Sequence, residues 1–209
     1  MVRRVLIVYM VGALALSSLC FAQDGPTAQV KATVDKVLDI LKDPALKGPE
    51  AEAARTKQLR DAIFARFDFS EMAKRSLGIH WRKRTPKERK EFVAVFSDLL
   101  ELSYRKKIER YTDEEILYTK EKVKGKFGVV NTQILNEREN VDIPIDYKVI
   151  HTDGEWKVYD VVIDGISLVS NYRSQFNRII QRSSYKDLVK KMRVKQETEL
   201  EEASSSEKQ

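Results

Sequence analysis

The sequence is poor in the residues that build metal sites and covalent cross-links. Its 209 residues include one cysteine, Cys20, and two histidines, His80 and His151. One cysteine cannot form an intramolecular disulfide, and two distant histidines do not make a zinc site. Eight glycines and five prolines are too few for a collagen-like chain, and 42% apolar residues are enough to form a core. We therefore expect one globular domain without metal or cofactor.

Recognisable catalytic motifs are missing as well. The segment Gly165-Ile166-Ser167-Leu168-Val169 lacks the second glycine of a nucleophile elbow. No glycine-rich phosphate loop follows a strand. Asp160 and Asp164 could form an acid/base pair, but carboxylates at a strand end more often accept structural hydrogen bonds. We expect no enzyme, and an envelope enzyme built on these two aspartates is the weakest alternative.

Basic residues outnumber acidic ones, 38 to 32, which gives a formal charge of +6. This balance points to an anionic partner, either nucleic acid, lipid headgroups or acidic protein. The densest basic cluster contains Arg82, Lys83, Arg84 and Lys87, together with Arg89 and Lys90. It is either a solvated loop or a surface that docks an acidic partner or headgroups. No aromatic residues alternate with these charges, so nucleic acid is not expected.

The first 22 residues have the pattern of a secretory signal peptide. Arg3 and Arg4 precede an apolar run, and small residues precede a predicted cut after Ala22. An uncleaved membrane anchor is the alternative, since about 18 apolar residues just suffice to span a bilayer. We expect cleavage and export, a single domain over 23–195, and a disordered acidic tail over 196–209.

The periodicity of apolar residues predicts an α+β fold. Helical spacing predicts helices that begin near Thr27, Pro49, Asp68 and Thr85, with two more after Gly165 and Ser184. Between them the period changes to two, which predicts strands over 115–124, 127–138, 141–151 and 155–163. Pro144 requires a sheet edge or a bulge in the third strand. We expect a curved antiparallel four-stranded meander covered by helices and enclosing an apolar pocket.

More apolar side chains point to one side than a plain core requires. The candidates for lining a ligand cavity are Phe96, Leu100, Tyr104, Ile143, Ile145, Tyr147, Val149, Tyr159, Val161, Ile163, Leu168, Tyr172 and Phe176. The alternative is that these side chains pack against one another and leave no space. Periodicity alone does not separate a closed core from a ligand cavity.

Two long segments resemble a known family. The first is Phe67-Asp68-Phe69-Ser70-Glu71-Met72-Ala73, which continues through Trp81 and the Thr85-Pro86 helix start. The second is Trp156-Lys157-Val158-Tyr159-Asp160-Val161-Val162-Ile163-Asp164-Gly165-Ile166-Ser167-Leu168, which continues to Phe176. In this order, behind a signal peptide, they resemble the MlaC family of periplasmic phospholipid-binding proteins. The similarity extends over about residues 28–195.

The resemblance implies a periplasmic carrier that holds the acyl chains of a phospholipid in its apolar cavity, with the headgroup near the surface. The cavity candidates above would then be the lipid-binding residues. Such a carrier exchanges lipid with an outer-membrane lipoprotein complex and an inner-membrane ABC transporter complex with MCE-domain subunits. We expect a monomer with these partners. The alternative is an envelope adaptor with a closed core, which binds its partners through a basic surface.

Overall fold

The structure, a computed structural model, describes residues 24–206 except 112–114 and 137–140. The predicted signal peptide and its cut after Ala22 lie outside the described residues. The helices are α1 (Pro26–Lys42), α2 (Glu52–Arg66), α3 (Phe69–Leu77), α4 (Pro86–Glu109), α5 (Leu168–Arg182) and α6 (Tyr185–Ser206). The strands are β1 (Glu115–Lys124), β2 (Phe127–Asn136), β3 (Val141–Thr152), β4 (Glu155–Ile163) and β5 (Ile166–Ser167). Short 3-10 turns cover Pro44–Leu46, Pro49–Ala51 and Gly78–Lys83.

Polar side chains fix where the main helices begin. Thr85 accepts a hydrogen bond from the Glu88 amide, and the Glu88 carboxylate accepts one from the Thr85 amide. This capping box satisfies amides that the first turn of α4 leaves without helical partners. At α3 the Asp68 side chain accepts a hydrogen bond from the Glu71 amide, and at α5 the Ser167 side chain accepts one from the Ser170 amide.

The strands form one antiparallel sheet in the order β1-β2-β3-β4-β5. The α+β meander is thus confirmed, with four strands close to their predicted bounds and a fifth that the sequence analysis missed. In β5, Ser167 pairs with Val162, and the chain reverses through Asp164 and Gly165, whose φ angles are 48° and 76°. Two residues are too few to show the alternation that reveals a strand.

Pro144 lies inside β3 without breaking the sheet. It pairs with Gln133 of β2, while the pairing with β4 begins only at Ile145. The Pro144 carbonyl accepts a hydrogen bond from the Asp164 amide just beyond the end of β4. The nitrogen of a strand residue points to the same side as its carbonyl, so the missing N–H faces a gap in the ladder. The sheet edge predicted at Pro144 is therefore confined to the β4 side of β3, before Ile145.

A β-bulge at Tyr159 redirects the side chains of β4. Lys148 pairs with Asp160, whereas the next residue of β3, Val149, pairs with Val158. Tyr159 is therefore the extra residue, and one extra residue exchanges the faces of the strand. Trp156 and Val158 before the bulge share the concave face with odd-numbered residues after it.

Three hydrophobic clusters organise the molecule. The largest joins α3, α4, α5 and α6 and includes Phe92, Phe96, Phe176 and Leu188. A second lies between α1 and the concave face of the sheet, and a third joins α1 to α2. The helix α6 continues through Ser206, so the described part of the segment expected to be a disordered tail is helical. At the start of this segment, the Gln196 side chain donates a hydrogen bond to the Val95 carbonyl of α4 at 2.7 Å.

Candidate ligand-binding cavity

The three hydrophobic clusters do not close completely around the concave face of the sheet. A cavity of about 410 Å³ remains, bounded by the sheet, α1, α2 and α4. Each cluster contributes a wall, for example Met72 from the helical core, Val161 from the sheet and Leu59 from the α1–α2 contact. Pockets that hold drug-sized ligands have volumes of roughly 300–1,000 Å³ and are mostly apolar. The cavity has the size and composition of a site for an apolar ligand.

Eight of the predicted residues line this cavity. They are Leu100, Tyr104, Ile143, Ile145, Tyr147, Val161, Ile163 and Leu168. Those on β3 alternate as the sequence predicts, and the bulge at Tyr159 brings those on β4 to the same face. Whether these side chains contact lipid stays a prediction.

The other five predicted residues lie outside the cavity lining. Phe96, Tyr172 and Phe176 are buried in the helical core, where their rings contact one another at centroid distances of 5.3–5.6 Å. Val149 is fully buried at the closed end of the sheet beneath α1. Tyr159, the bulge residue, packs against Phe127 and under the Arg75 guanidinium. Their apolar pattern is the same as that of lining residues, and only tertiary packing separates the two groups.

The sequence analysis missed a wall that α1 and α2 provide. Among its members are Val34, Val37, Leu38, Leu41, Ile63, Phe64 and Phe67. Their helical spacing was visible in the sequence, but it did not show which helices lie over the sheet. The end of α4, the residues after it, and the strands β1 and β2 also contribute, with Ile108, Tyr111, Ile116 and Ile134.

Tyr104 and Tyr147 in the cavity wall are neutral at physiological pH. Burial, reinforced by the nearby Tyr111, raises the pKa of Tyr147 to about 12. Burial, reinforced by Tyr172, also raises the pKa of Tyr104 to about 12. Their hydroxyl groups therefore add polarity to the wall without adding charge.

Charged side chains in the lining come from α2 and α4. Arg60 forms ion pairs with Asp98, at 3.1 Å, and with Glu101. Lys107 lies 5.3 Å from the ring centroid of Tyr104. Arg105 is half-buried and has no hydrogen-bond or ion-pair partner among the residues that the structure describes. A half-buried cation without a counter-ion among the described residues attracts an anionic group.

The two aspartates that suggested an enzyme, Asp160 and Asp164, occupy positions that support the structure. Asp160 is 3% exposed and accepts hydrogen bonds from Lys148, Ser167 and the Val169 amide. Asp164 sits in the turn between β4 and β5. Within the described residues, no group of three or more His, Cys, Asp or Glu side chains could hold a metal ion. Over the same part of the chain, no helix is long and apolar enough to cross a bilayer.

The predicted docking cluster divides into two kinds of residue. Arg84 is paired with Glu88 at 3.2 Å and lies over the Tyr185 ring, so it supports the junction of α4 and α6. Arg82, Lys83 and Lys87 are exposed. Docking through these three stays a prediction.

Comparison with known proteins gives a consistent result. The chain is 21% identical over 192 residues to the intermembrane phospholipid transport system binding protein MlaC of Haemophilus influenzae, covering 90% of this chain and 89% of that protein. It is 29% identical over 103 residues to the toluene tolerance protein ttg2D of Pseudomonas putida, about half of each chain (49% and 47%).

A solved structure shares the fold. It is the phospholipid-binding protein from Ralstonia solanacearum in complex with a phospholipid, with a TM-score of 0.74 and 28% identity. The superposition covers 83% of this chain and 97% of that one. The MlaC protein family is matched over residues 31–194. With its fold and sequence both matching over most of its length, the chain belongs to the MlaC protein family.

Proposed function

We propose that this protein is a phospholipid carrier that holds acyl chains in the cavity between the sheet and α1, α2 and α4. The observation that carries the proposal is the cavity of about 410 Å³, whose walls are mainly aliphatic and aromatic side chains. The phospholipid-bound relative from Ralstonia solanacearum, which shares the fold, supports a phospholipid as the ligand. The envelope adaptor with a closed core is disfavoured by the same cavity.

Burial of the chains accounts for retention without any reactive group. Removing a methylene from water is worth about 0.8 kcal/mol, so a chain of about 16 carbons gives roughly 12 kcal/mol of gross transfer free energy. Ordering and cavity costs reduce this value, yet release into water stays slow. Unloading then requires a partner that offers the chain another apolar surface.

The headgroup belongs at the charged part of the lining. Arg105, which lacks a described partner, and Lys107 lie on α4 beside the lining residues Ile108 and Tyr111. A phosphodiester accepts hydrogen bonds from a guanidinium in bidentate geometry. Arg105 is therefore the proposed phosphate contact, with Lys107 adding charge.

The proposed setting is the periplasm, with the signal peptide cleaved after Ala22. The name of the Haemophilus influenzae relative, an intermembrane transport binding protein, supports exchange between membranes. The proposed partners are an outer-membrane lipoprotein complex and an inner-membrane ABC transporter complex with MCE-domain subunits, and the carrier acts as a monomer.

Lipid analysis of two matched variants tests the proposal. The purified protein is extracted with organic solvent, and the extract is analysed by mass spectrometry for phospholipid. Ile145→Glu places a charge in the cavity wall, whereas Ile166→Glu places the same charge on a side chain that is 61% exposed outside it. We expect phospholipid in the wild type and in Ile166→Glu, and at least about a tenfold loss in Ile145→Glu, since a buried charge is strongly unfavourable.

A second variant separates lost binding from lost folding. Ile145→Trp reduces the cavity volume without adding charge and should also lower the lipid content, while circular dichroism should show an intact fold. If the wild-type extract contains no phospholipid, or if both Ile145 variants retain it at the wild-type level, the cavity is not the lipid site.

A further inference from the structure

The hairpin of β1 and β2 carries four lysines from the bulge of β1 through the turn. We call Lys120, Lys122, Lys124 and Lys126 the lysine hairpin; all four are exposed. None of them forms an ion pair with a carboxylate among the described residues, in contrast to Lys31, Lys57 and Lys148, which do. The lysine hairpin is thus a concentration of uncompensated positive charge.

Strand geometry places three of these lysines on one face. Lys120, Lys122 and Lys124 alternate along β1 after its bulge, and side chains two residues apart share a face. Gly128, opposite Val123, faces Val149 and Trp156 on the concave side. The lysines next to Val123 therefore point to the convex side, away from the cavity.

A tight turn keeps the tip rigid. Lys124 pairs with Phe127, so Gly125 and Lys126 form a two-residue loop, and Gly125 has a φ of 58°. Glycine at the first position of such a loop is typical of a type II′ hairpin turn. A rigid tip presents its charges together without further loss of backbone entropy.

Three acidic side chains of the sheet have partners other than these lysines, and Asp153, in the neighbouring turn between β3 and β4, forms no ion pair with them among the described residues. Glu121 accepts a hydrogen bond from the Thr27 amide at the start of α1. Asp146 accepts from Asn131 at 2.7 Å, and Asp160 accepts from Lys148 at 3.0 Å. The positive charge of the hairpin is thus directed outward rather than neutralised within the domain.

An aromatic patch lies beside these charges. Phe127 is 38% exposed, and its ring packs edge-on against Tyr159 at 6.0 Å. The Lys126 ammonium lies 5.6 Å and the Arg75 guanidinium 5.8 Å from the Phe127 ring centroid. Val123, 49% exposed, adds an aliphatic group at the tip. Cations next to partly exposed apolar side chains suit the boundary between headgroups and acyl chains.

We propose that the lysine hairpin docks the protein onto the surface of an anionic phospholipid bilayer. Ammonium groups on flexible stems can follow mobile headgroups, whereas a fixed acidic protein surface is better matched by arginine. Basic residues close to an anionic bilayer bind it cooperatively with small apolar insertions. The inference depends on the surface alone and would stand if the cavity held no phospholipid.

Docking in this orientation leaves the far end of the sheet away from the bilayer. The lining residue Ile116 lies four positions before Lys120 on β1, roughly 13 Å at 3.3 Å per residue. The docked protein would therefore keep this part of the cavity wall off the membrane surface while the lysine hairpin remains on it.

Vesicle binding of two matched variants tests the inference. The first carries Lys120→Gln, Lys122→Gln, Lys124→Gln and Lys126→Gln. The second removes the same number of charges from the other basic cluster, through Arg82→Gln, Lys83→Gln, Lys87→Gln and Lys90→Gln. Sedimentation is measured with vesicles of phosphatidylglycerol and phosphatidylcholine in equal parts, and with phosphatidylcholine alone.

We expect the wild type to bind the anionic vesicles and not the neutral ones. The hairpin variant should bind roughly six-hundredfold more weakly, since each of the four lysines near an anionic surface contributes about fivefold. The second variant should lose much less of its affinity for the anionic vesicles. Binding should fall at 1 M salt, where screening acts within about 3 Å. A variant with four Lys→Arg changes in the hairpin should retain binding, because it keeps the charge.

Three results would overturn the inference. Equal losses in the two glutamine variants would show a dependence on net charge alone. Unchanged vesicle binding in the hairpin variant would exclude the hairpin as the contact, including the case in which it binds an acidic protein instead. Unchanged vesicle binding with new self-association would show that the lysines protect the edge strand β1 from pairing with another copy.

Discussion

At the scale of single residues, Asp160 is a buried polar side chain of the sheet. Its Oδ2 accepts from Lys148 at 3.0 Å and from Ser167 at 2.7 Å, and its Oδ1 accepts from the Val169 amide at 3.1 Å. Val169 lies in the first turn of α5, where the helix dipole also favours a negative charge. Asp160 therefore joins β3, β4 and the start of α5, and three structural donors engage its carboxylate.

Asp160→Asn should destabilise the protein by about 2–4 kcal/mol, because it leaves Lys148 without its counter-ion and turns an amide N–H₂ toward a donor. Asp164→Asn, at a φ of 48° that asparagine tolerates, should change stability by less than about 0.5 kcal/mol. Urea denaturation followed by circular dichroism measures both. Equal free-energy changes in the two variants would contradict a structural role specific to Asp160.

At the scale of elements, the bulge at Tyr159 determines which side chains of β4 meet the cavity. Before it, Trp156 and Val158 pack under α1, and after it Val161 and Ile163 line the cavity. A regular strand would place one of these pairs on the wrong face. The bulge thus allows a single strand to serve both the closed end of the sheet and the open one.

Deleting Tyr159 should therefore be far more damaging than truncating it. Tyr159→Ala keeps the bulge and loses the contacts with Arg75 and Phe127, for an expected cost of about 1–2 kcal/mol. The deletion forces two large side chains off their face, at about 1.5–3 kcal/mol each. Urea denaturation of both variants makes the comparison, and similar midpoints would show that the register of β4 is not set by this residue.

The bulge also explains the limit of prediction from the sequence. Alternation located β1 to β4 to within two residues at every end, and the Thr85 capping box located the start of α4. Alternation also predicted that Tyr159 shares a face of β4 with Val161 and Ile163. In the structure Tyr159 is the bulge residue and lies outside the cavity lining. The hydropathy pattern could not show this, because a bulge leaves no mark in it. Phe176 and Ile145 were equally good cavity candidates by periodicity, and only the packing of α5 against α4 assigns Phe176 to the closed core.

At the scale of the whole molecule, a closed half and an open half share one chain. The closed half is the core of α3, α4, α5 and α6, in which Phe92, Phe96 and Leu188 are almost fully buried. The open half is the sheet with α1 and α2, whose facing side chains enclose the cavity. Empty apolar space forfeits packing contacts, so the open half gains most from a bound chain.

If the cavity holds a phospholipid as proposed, its removal should therefore loosen one half and leave the other unchanged. A ligand that binds only the folded state stabilises it according to its concentration and affinity, and local opening follows the same linkage. Hydrogen exchange measured on loaded and solvent-extracted, refolded protein should show faster exchange in α1, α2 and β3 after extraction, while α5 and the Tyr185–Met192 part of α6 keep their protection. The closed half supplies the internal control, because its side chains pack without any ligand. Uniform acceleration across α5 and α6 would mean that the two halves unfold as one cooperative unit and that the cavity is not a separately stabilised region.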